Sequence, residues 1–169
     1  MNDVPTSSGS TAAPRRSPAA ERARRTRRRL CRVAAVLAAL GAVYAVAESW
    51  LHFTDYRERA DKAAVLGVGT GDPATAATFD ATQNDLVQSV VAYAVVGALL
   101  AVATVMLWRA EMWMLVATSA ACAISFVLVA AFAVRQGESV AYLAPWLVLI
   151  PVILMLAWVP WFFSNTNEP

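Results

Sequence analysis

Three residues on one apolar stretch have the types and spacing best suited to chemistry. Tyr44, Glu48 and His52 recur at i, i+4 and i+8, which places them along one face of a helix. Glu48 is the one acidic residue within a stretch long and apolar enough to cross a bilayer. A carboxylate costs about 2.5 to 3.5 kcal/mol at the centre of a membrane helix, so it is a functional candidate, for proton titration or partner contact. It lies about four residues from the end of that stretch, within reach of water and headgroups. Asp55, Arg59 and Lys62 carry the stripe onward at helical spacing, and i,i+4 pairing among solvated groups is its structural reading.

Other chemistries are poorly supplied. His52 is the sole histidine, which excludes bis-histidine haem ligation and a histidine-rich metal centre. Cys31 and Cys122 belong to different stretches at different depths and form no C-x-x-C pair, so neither a disulfide nor a redox motif is expected. Gly67-Val68-Gly69-Thr70-Gly71-Asp72-Pro73 faintly resembles a phosphate loop but lacks its Lys-Ser/Thr ending. It reads better as a turn, with Asp72 capping a helix whose first residue is Pro73. Asp80, Asn84 and Asp85 offer oxygen ligands without the alternating spacing of a calcium loop. Neither an enzyme, a metal nor a cofactor is expected.

The elements that hold these residues follow from composition. Of 169 residues, 59% are hydrophobic and 15% charged, with 35 alanines and 6 tryptophans, a balance that excludes an ordinary water-soluble domain. Four windows of about 20 apolar residues qualify as membrane helices, at about 30–51, 87–108, 113–134 and 142–163. They are continuous runs without period-two alternation, so helices satisfy their backbones and the fold class is an all-α four-transmembrane-helix bundle. Residues 52–86 form an extracytoplasmic loop, expected as two short helices about the glycine turn. Residues 164–169 form a short cytoplasmic tail.

Charge gives the orientation. Residues 1–32 hold nine arginines against Asp3 and Glu21, a net of +7, whereas 53–86 hold three basic and six acidic residues, a net of −3. With the N-terminus inside, ten Lys and Arg lie on the inner side against four outside, so both termini are cytoplasmic in a multi-pass protein of the bacterial cytoplasmic membrane. Residues 1–29 are expected to be a disordered basic tail, its Ser, Thr, Pro and Ala unable to bury enough surface to order. Arg24, Arg25, Arg27, Arg28, Arg29 and Arg32 are expected to contact anionic lipid headgroups, a reading preferred over nucleic-acid binding because an apolar run follows directly. A competing reading takes Thr26 to Arg32 and Ala45-Val46-Ala47 as a twin-arginine signal peptide, whose cleavage would leave three spans and a mature chain starting at Glu48.

Aromatics fall where interfacial belts belong: Trp50, Phe53, Tyr142 and Trp146 near the outer face, Trp108, Trp113, Trp158, Trp161, Phe162 and Phe163 near the inner one. Gly41 with Ala45, Gly97 with Ala101, Ala117 with Ala121 and Ser119 with Ala123 are small-xxx-small pairs that allow close helix approach. Thr118, Ser119, Cys122 and Ser125 give the third span a mildly polar strip, expected to face the bundle interior. Pro151 should free the Leu147 carbonyl and bend the fourth span. Gly137 is expected to end the third helix.

Arginine is used thirteen times against one lysine, and alanine is one residue in five. The Arg/Pro/Ala tail, the long loop after the first span, the tight turn from Trp108 to Trp113 and the closing Trp158-Val159-Pro160-Trp161-Phe162-Phe163 complete a layout. It resembles the uncharacterised small four-span integral membrane proteins of high-GC Gram-positive bacteria. The resemblance implies a cytoplasmic-membrane location and no particular activity. Two functions are expected to compete: a non-catalytic accessory or scaffold subunit, binding a membrane-protein partner or further copies of itself, and a small oligomeric transporter or channel with Glu48 as its titratable site.

Overall fold

The computed structural model describes residues 18–67, 72–109, 112–136 and 140–165. They form four helices: α1 (Pro18–Leu66), α2 (Pro73–Arg109), α3 (Met112–Gln136) and α4 (Val140–Asn165). Each is long and apolar enough to span a membrane. Short connections make sequential neighbours antiparallel, and α1 packs on α2 and α4, α2 on α3, and α3 on α4, so the chain closes into a four-helix bundle. Arg32, Trp108 and Trp158 lie toward one end, called the basic end below.

The helices differ in length because nothing stops the first two. Neither 52–66 nor 74–86 contains Gly or Pro, so the two short loop helices expected there are instead uninterrupted continuations of α1 and α2. At about 1.5 Å per residue, α1 is about 74 Å long and α3 about 38 Å. Arg135 at the end of α3 lies 3.9 Å from Asp85 of α2. Beyond that level, residues 58–66 and 73–84 project as a two-helix hairpin of about 15 Å.

The hairpin tip is capped as the sequence requires. Gly67 takes φ 64°, the left-handed conformation that ends a helix and favours glycine. Asp72 accepts hydrogen bonds from the backbone N–H groups of Ala74 (3.2 Å) and Thr75 (3.3 Å) and from the Thr75 hydroxyl (2.9 Å). The Thr75 hydroxyl, with the Ala74 N–H, holds the Asp72 carboxyl below the usual carboxylate range. Its contribution to stability is therefore present above the unfolded carboxylate pKa and lost as pH falls through the folded one. Asp72→Ala is expected to speed hydrogen exchange at residues 74–76 and to remove this pH dependence. Unchanged exchange would contradict the cap. Residues 68–71 lie outside the described residues, as does Gly137.

At the other end, the tail expected to be disordered through residue 29 is helical from Pro18. Proline suits the first helical position, the alanines and arginines that follow are strong helix formers, and Glu21 pairs with Arg25 at 2.6 Å one turn on. Because the packed part of α1 already supplies the nucleus, each added residue costs little to extend it. Residues 1–17 lie outside the described residues.

The interior is made of small and weakly polar side chains. α1 buries Cys31, Ala34, Ala35, Ala38, Ala42 and Ala45, and α3 buries Thr118, Cys122 and Ser125. The expectation that the polar strip of α3 faces inward is met at those three positions, while Ser119 sits half-buried at the α3–α4 seam. Both cysteines are free and buried. Larger residues fill the remainder, among them Leu100, Leu107, Leu115 and Ile153. Large apolar residues also cover the outside: Val43 is 67% exposed, Val127 62% and Met155 66%. Water would penalise such a surface, whereas lipid would solvate it.

Several finer expectations are adjusted. Trp146, placed in the outer belt, is only 1% exposed and is the largest fully buried side chain among the described residues. It faces Tyr44 of α1 with ring centroids 5.6 Å apart, because alanines on α1 leave room there for a large ring. Trp50, Phe53, Trp108, Trp113 and Phe162 are exposed, whereas Trp158 and Trp161 are half-buried against the core. Side chains of Tyr142 and Phe163 lie outside the description. Of the small pairs, Gly41, Ala45 and Gly97 pack inward, but Ala101 and Ala123 face outward. α4 remains helical through Pro145, Pro151 and Pro160.

Candidate functional site

The Tyr44–Glu48–His52 stripe lies where α1 meets both of its neighbours. Residues four apart on a helix of 3.6 residues per turn advance about 40° around the axis, so the stripe turns by about 80° from Tyr44 to His52. This rotation divides the face. Tyr44 meets Trp146 of α4 at 52° between ring planes, and His52 stacks on Tyr93 of α2 at 5.5 Å and 16°. Glu48 is half-buried between the two pairs. The stripe expected as one face therefore serves two helix–helix seams. Ser49 adds a hydrogen bond to the Val90 carbonyl of α2 at 2.9 Å. Spacing placed these residues on α1, but Tyr93, Val90 and Trp146 come from other elements and become visible only in the fold.

Further out, Arg59 and Lys62 line a cleft of about 420 Å³ between the two arms of the hairpin, with Ala63, Leu66, Phe79 and Gln83. Lys62 pairs at 2.6 Å with Glu58, an i,i+4 partner outside the Asp55, Arg59 and Lys62 stripe, and this ammonium lowers the Glu58 carboxyl pKa. Asp85 turns to Arg135, and no group of three His, Cys, Asp or Glu among the described residues is placed to hold a metal ion.

The basic end holds the arginines expected to contact lipid. Arg22, Arg24, Arg25, Arg28 and Arg29 are exposed and Arg27 is half-buried. Arg32 places its guanidinium carbon 5.6 Å from the centroid of the Trp108 ring. Nearby, Trp158 of α4 donates from Nε1 to the Ser119 Oγ of α3 at 2.7 Å, a partner the sequence reading missed because belt placement explained the tryptophan without one. Ser119→Ala is expected to cost about 0.6 kcal/mol, the mean for interhelical hydrogen bonds in membrane bundles. A double-mutant cycle with Trp158→Phe checks it: fully additive losses would mean that the bond contributes nothing.

No protein-family model, curated protein or solved structure matches the chain. The class is defined by the architecture alone: an all-helical chain whose four helices are each long and apolar enough to cross a membrane.

Proposed function

We propose that the chain is a multi-pass protein of the bacterial cytoplasmic membrane, with both termini cytoplasmic, acting as a non-catalytic accessory or scaffold subunit of a membrane complex. One observation carries this reading: the bundle is apolar outside and filled inside with Ala, Ser, Thr, Cys and a buried tryptophan. Small interior residues serve close helix packing, and a filled interior leaves the outward faces and the projecting hairpin as the surfaces available for work. The strong positive charge at the basic end supports its cytoplasmic placement. An Ala64→Cys substitution in the hairpin should be labelled by an impermeant maleimide from outside intact cells; labelling only after lysis would reverse the orientation. Purification in mild detergent should yield a stoichiometric assembly, with a second protein or with further copies. A lone monomer would overturn the scaffold reading.

A second reading, a small oligomeric transporter or channel, is favoured by the half-buried Glu48 between the two aromatic pairs. Four helices enclose little volume, so a pore would require several copies. It predicts proton-coupled flux in liposomes that Glu48→Gln abolishes, and wild-type protein without flux would remove it.

A further inference from the structure

Arg24, Arg28 and Arg32 recur at i, i+4 and i+8 on the part of α1 that runs out of the bundle at the basic end. Like charges at this spacing repel and weaken a helix. Carboxylates relieve such repulsion elsewhere: Glu21 pairs with Arg25, and Glu58 with Lys62. Among the described residues, none of the three arginines in the stripe has an ion-pair partner. Arg32 is nevertheless held in place, its guanidinium over the 61%-exposed indole of Trp108, which fixes a cation where α1 meets α2. Arg27, one turn before the buried Cys31, keeps a buried Nε without a hydrogen-bond partner.

A guanidinium held over an indole, with a second one turn away and no carboxylate among the described residues paired to either, matches a phosphate, which accepts such N–H donors in pairs. The level of the site selects the source of that phosphate. The long apolar run begins at Leu30, between Arg28 and Arg32, and Trp108 closes the apolar run of α2. In the membrane reading above, on which this inference rests, both lie at headgroup depth, where the available phosphate belongs to a phospholipid. Positive charge there, without a carboxylate partner among the described residues, favours a headgroup of net negative charge over a zwitterionic one. We infer that Arg28, Arg32 and Trp108, extended by Arg24, form a binding site for the phosphate of an anionic phospholipid at the α1–α2 seam. The indole orients Arg32, and Arg28 supplies the second cation one turn below.

The full chain in nanodiscs of phosphatidylcholine containing a minor fraction of phosphatidylglycerol tests this, with retained lipids counted by native mass spectrometry. Phosphatidylglycerol should be enriched around the wild type. Arg28→Gln and Arg32→Gln should each reduce its affinity about fivefold, the scale of one basic residue at a membrane surface, and Trp108→Ala should reduce it by about twofold. Arg22→Gln with Arg29→Gln removes twice the charge of either single variant, from other faces of the helix, and should change it less than twofold. Equal loss in that control would overturn the site in favour of diffuse charge. Displacement of the lipid by millimolar inorganic phosphate, or by an RNA oligonucleotide, would overturn the lipid assignment. Failure of the chain to enter nanodiscs would instead refute the membrane reading. Unchanged helicity by circular dichroism separates lost binding from lost folding in every variant.

Discussion

Trp146→Ala is expected to lower the stability of the bundle by about 3 kcal/mol, the low end of the range for removing a buried tryptophan. The ring is 1% exposed and stands against Tyr44, so its loss leaves a cavity between α1 and α4 and breaks an aromatic pair worth about 0.5 to 1.5 kcal/mol. The low end applies because, in the proposed membrane setting, unfolding leaves apolar groups in an apolar solvent. Little transfer free energy is at stake, and the cost is mostly forfeited packing. The α1 side chains buried there, Ala38, Ala42 and Ala45, end at Cβ and cannot swing across to fill the gap. Trp146→Phe keeps the pair with Tyr44 and should lose less than half as much. Trp50, 65% exposed, is the control: Trp50→Ala should fall within about 0.5 kcal/mol of wild type. Reversible unfolding in mixed micelles measures all three, and a Trp146→Ala value indistinguishable from that of Trp50→Ala would place Trp146 back in an interfacial belt.

The contrast between these tryptophans marks where sequence reading stops. Hydropathy and length locate every helix, because a run such as Val87 to Trp108 is long and apolar enough to cross a membrane, where helix would be its backbone's one solution. Local turn chemistry was legible for the same reason: Asp72 before Pro73 caps a helix through atoms two or three residues away. Trp146 depends on what α1 presents opposite it, and a sequence read one segment at a time does not contain that pairing. The Tyr44–Glu48–His52 stripe was half legible. Its residues were correctly placed along α1, but the 40° drift at each step matters only once α4 and α2 stand on either side. The limits of α1 were hidden differently. Charge and composition argued for disorder up to residue 29, while helical propensity and a nucleus already supplied by the packed segment favoured continuation, and the second pair prevailed.

The α1–α2 seam allows the most demanding test of close packing. A Cβ at position 97 would stand 3.1 Å from Val46 Cγ2, 3.5 Å from the Ala42 carbonyl oxygen and 3.6 Å from Ala45 Cβ. Alanine there requires Val46 to yield by a few tenths of an ångström, while helix propensity returns up to about 1 kcal/mol, so Gly97→Ala should be close to neutral. Leucine is different. Three further carbons must fit beside a Cβ already 3.1 Å from Val46 Cγ2 and in contact with the Ala42 oxygen, which cannot turn aside as a side chain can, so the expected outcome is a wider α1–α2 separation. Ser49–Val90 and His52–Tyr93 lie to one side of this crossing and Arg32–Trp108 to the other, and all three depend on the same separation. Gly97→Leu should therefore cost about 3 kcal/mol, the upper part of the overpacking range. Gly41 offers a comparison at α4, where an added Cβ would come within 2.7 Å of Leu149 Cδ2. That atom is the free end of a flexible side chain, so Gly41→Ala should be absorbed by a rotamer change at under about 1 kcal/mol. Thermal unfolding followed by tryptophan fluorescence ranks the variants, and a Gly97→Leu protein as stable as Gly41→Ala would show that backbone proximity at position 97 does not govern the seam.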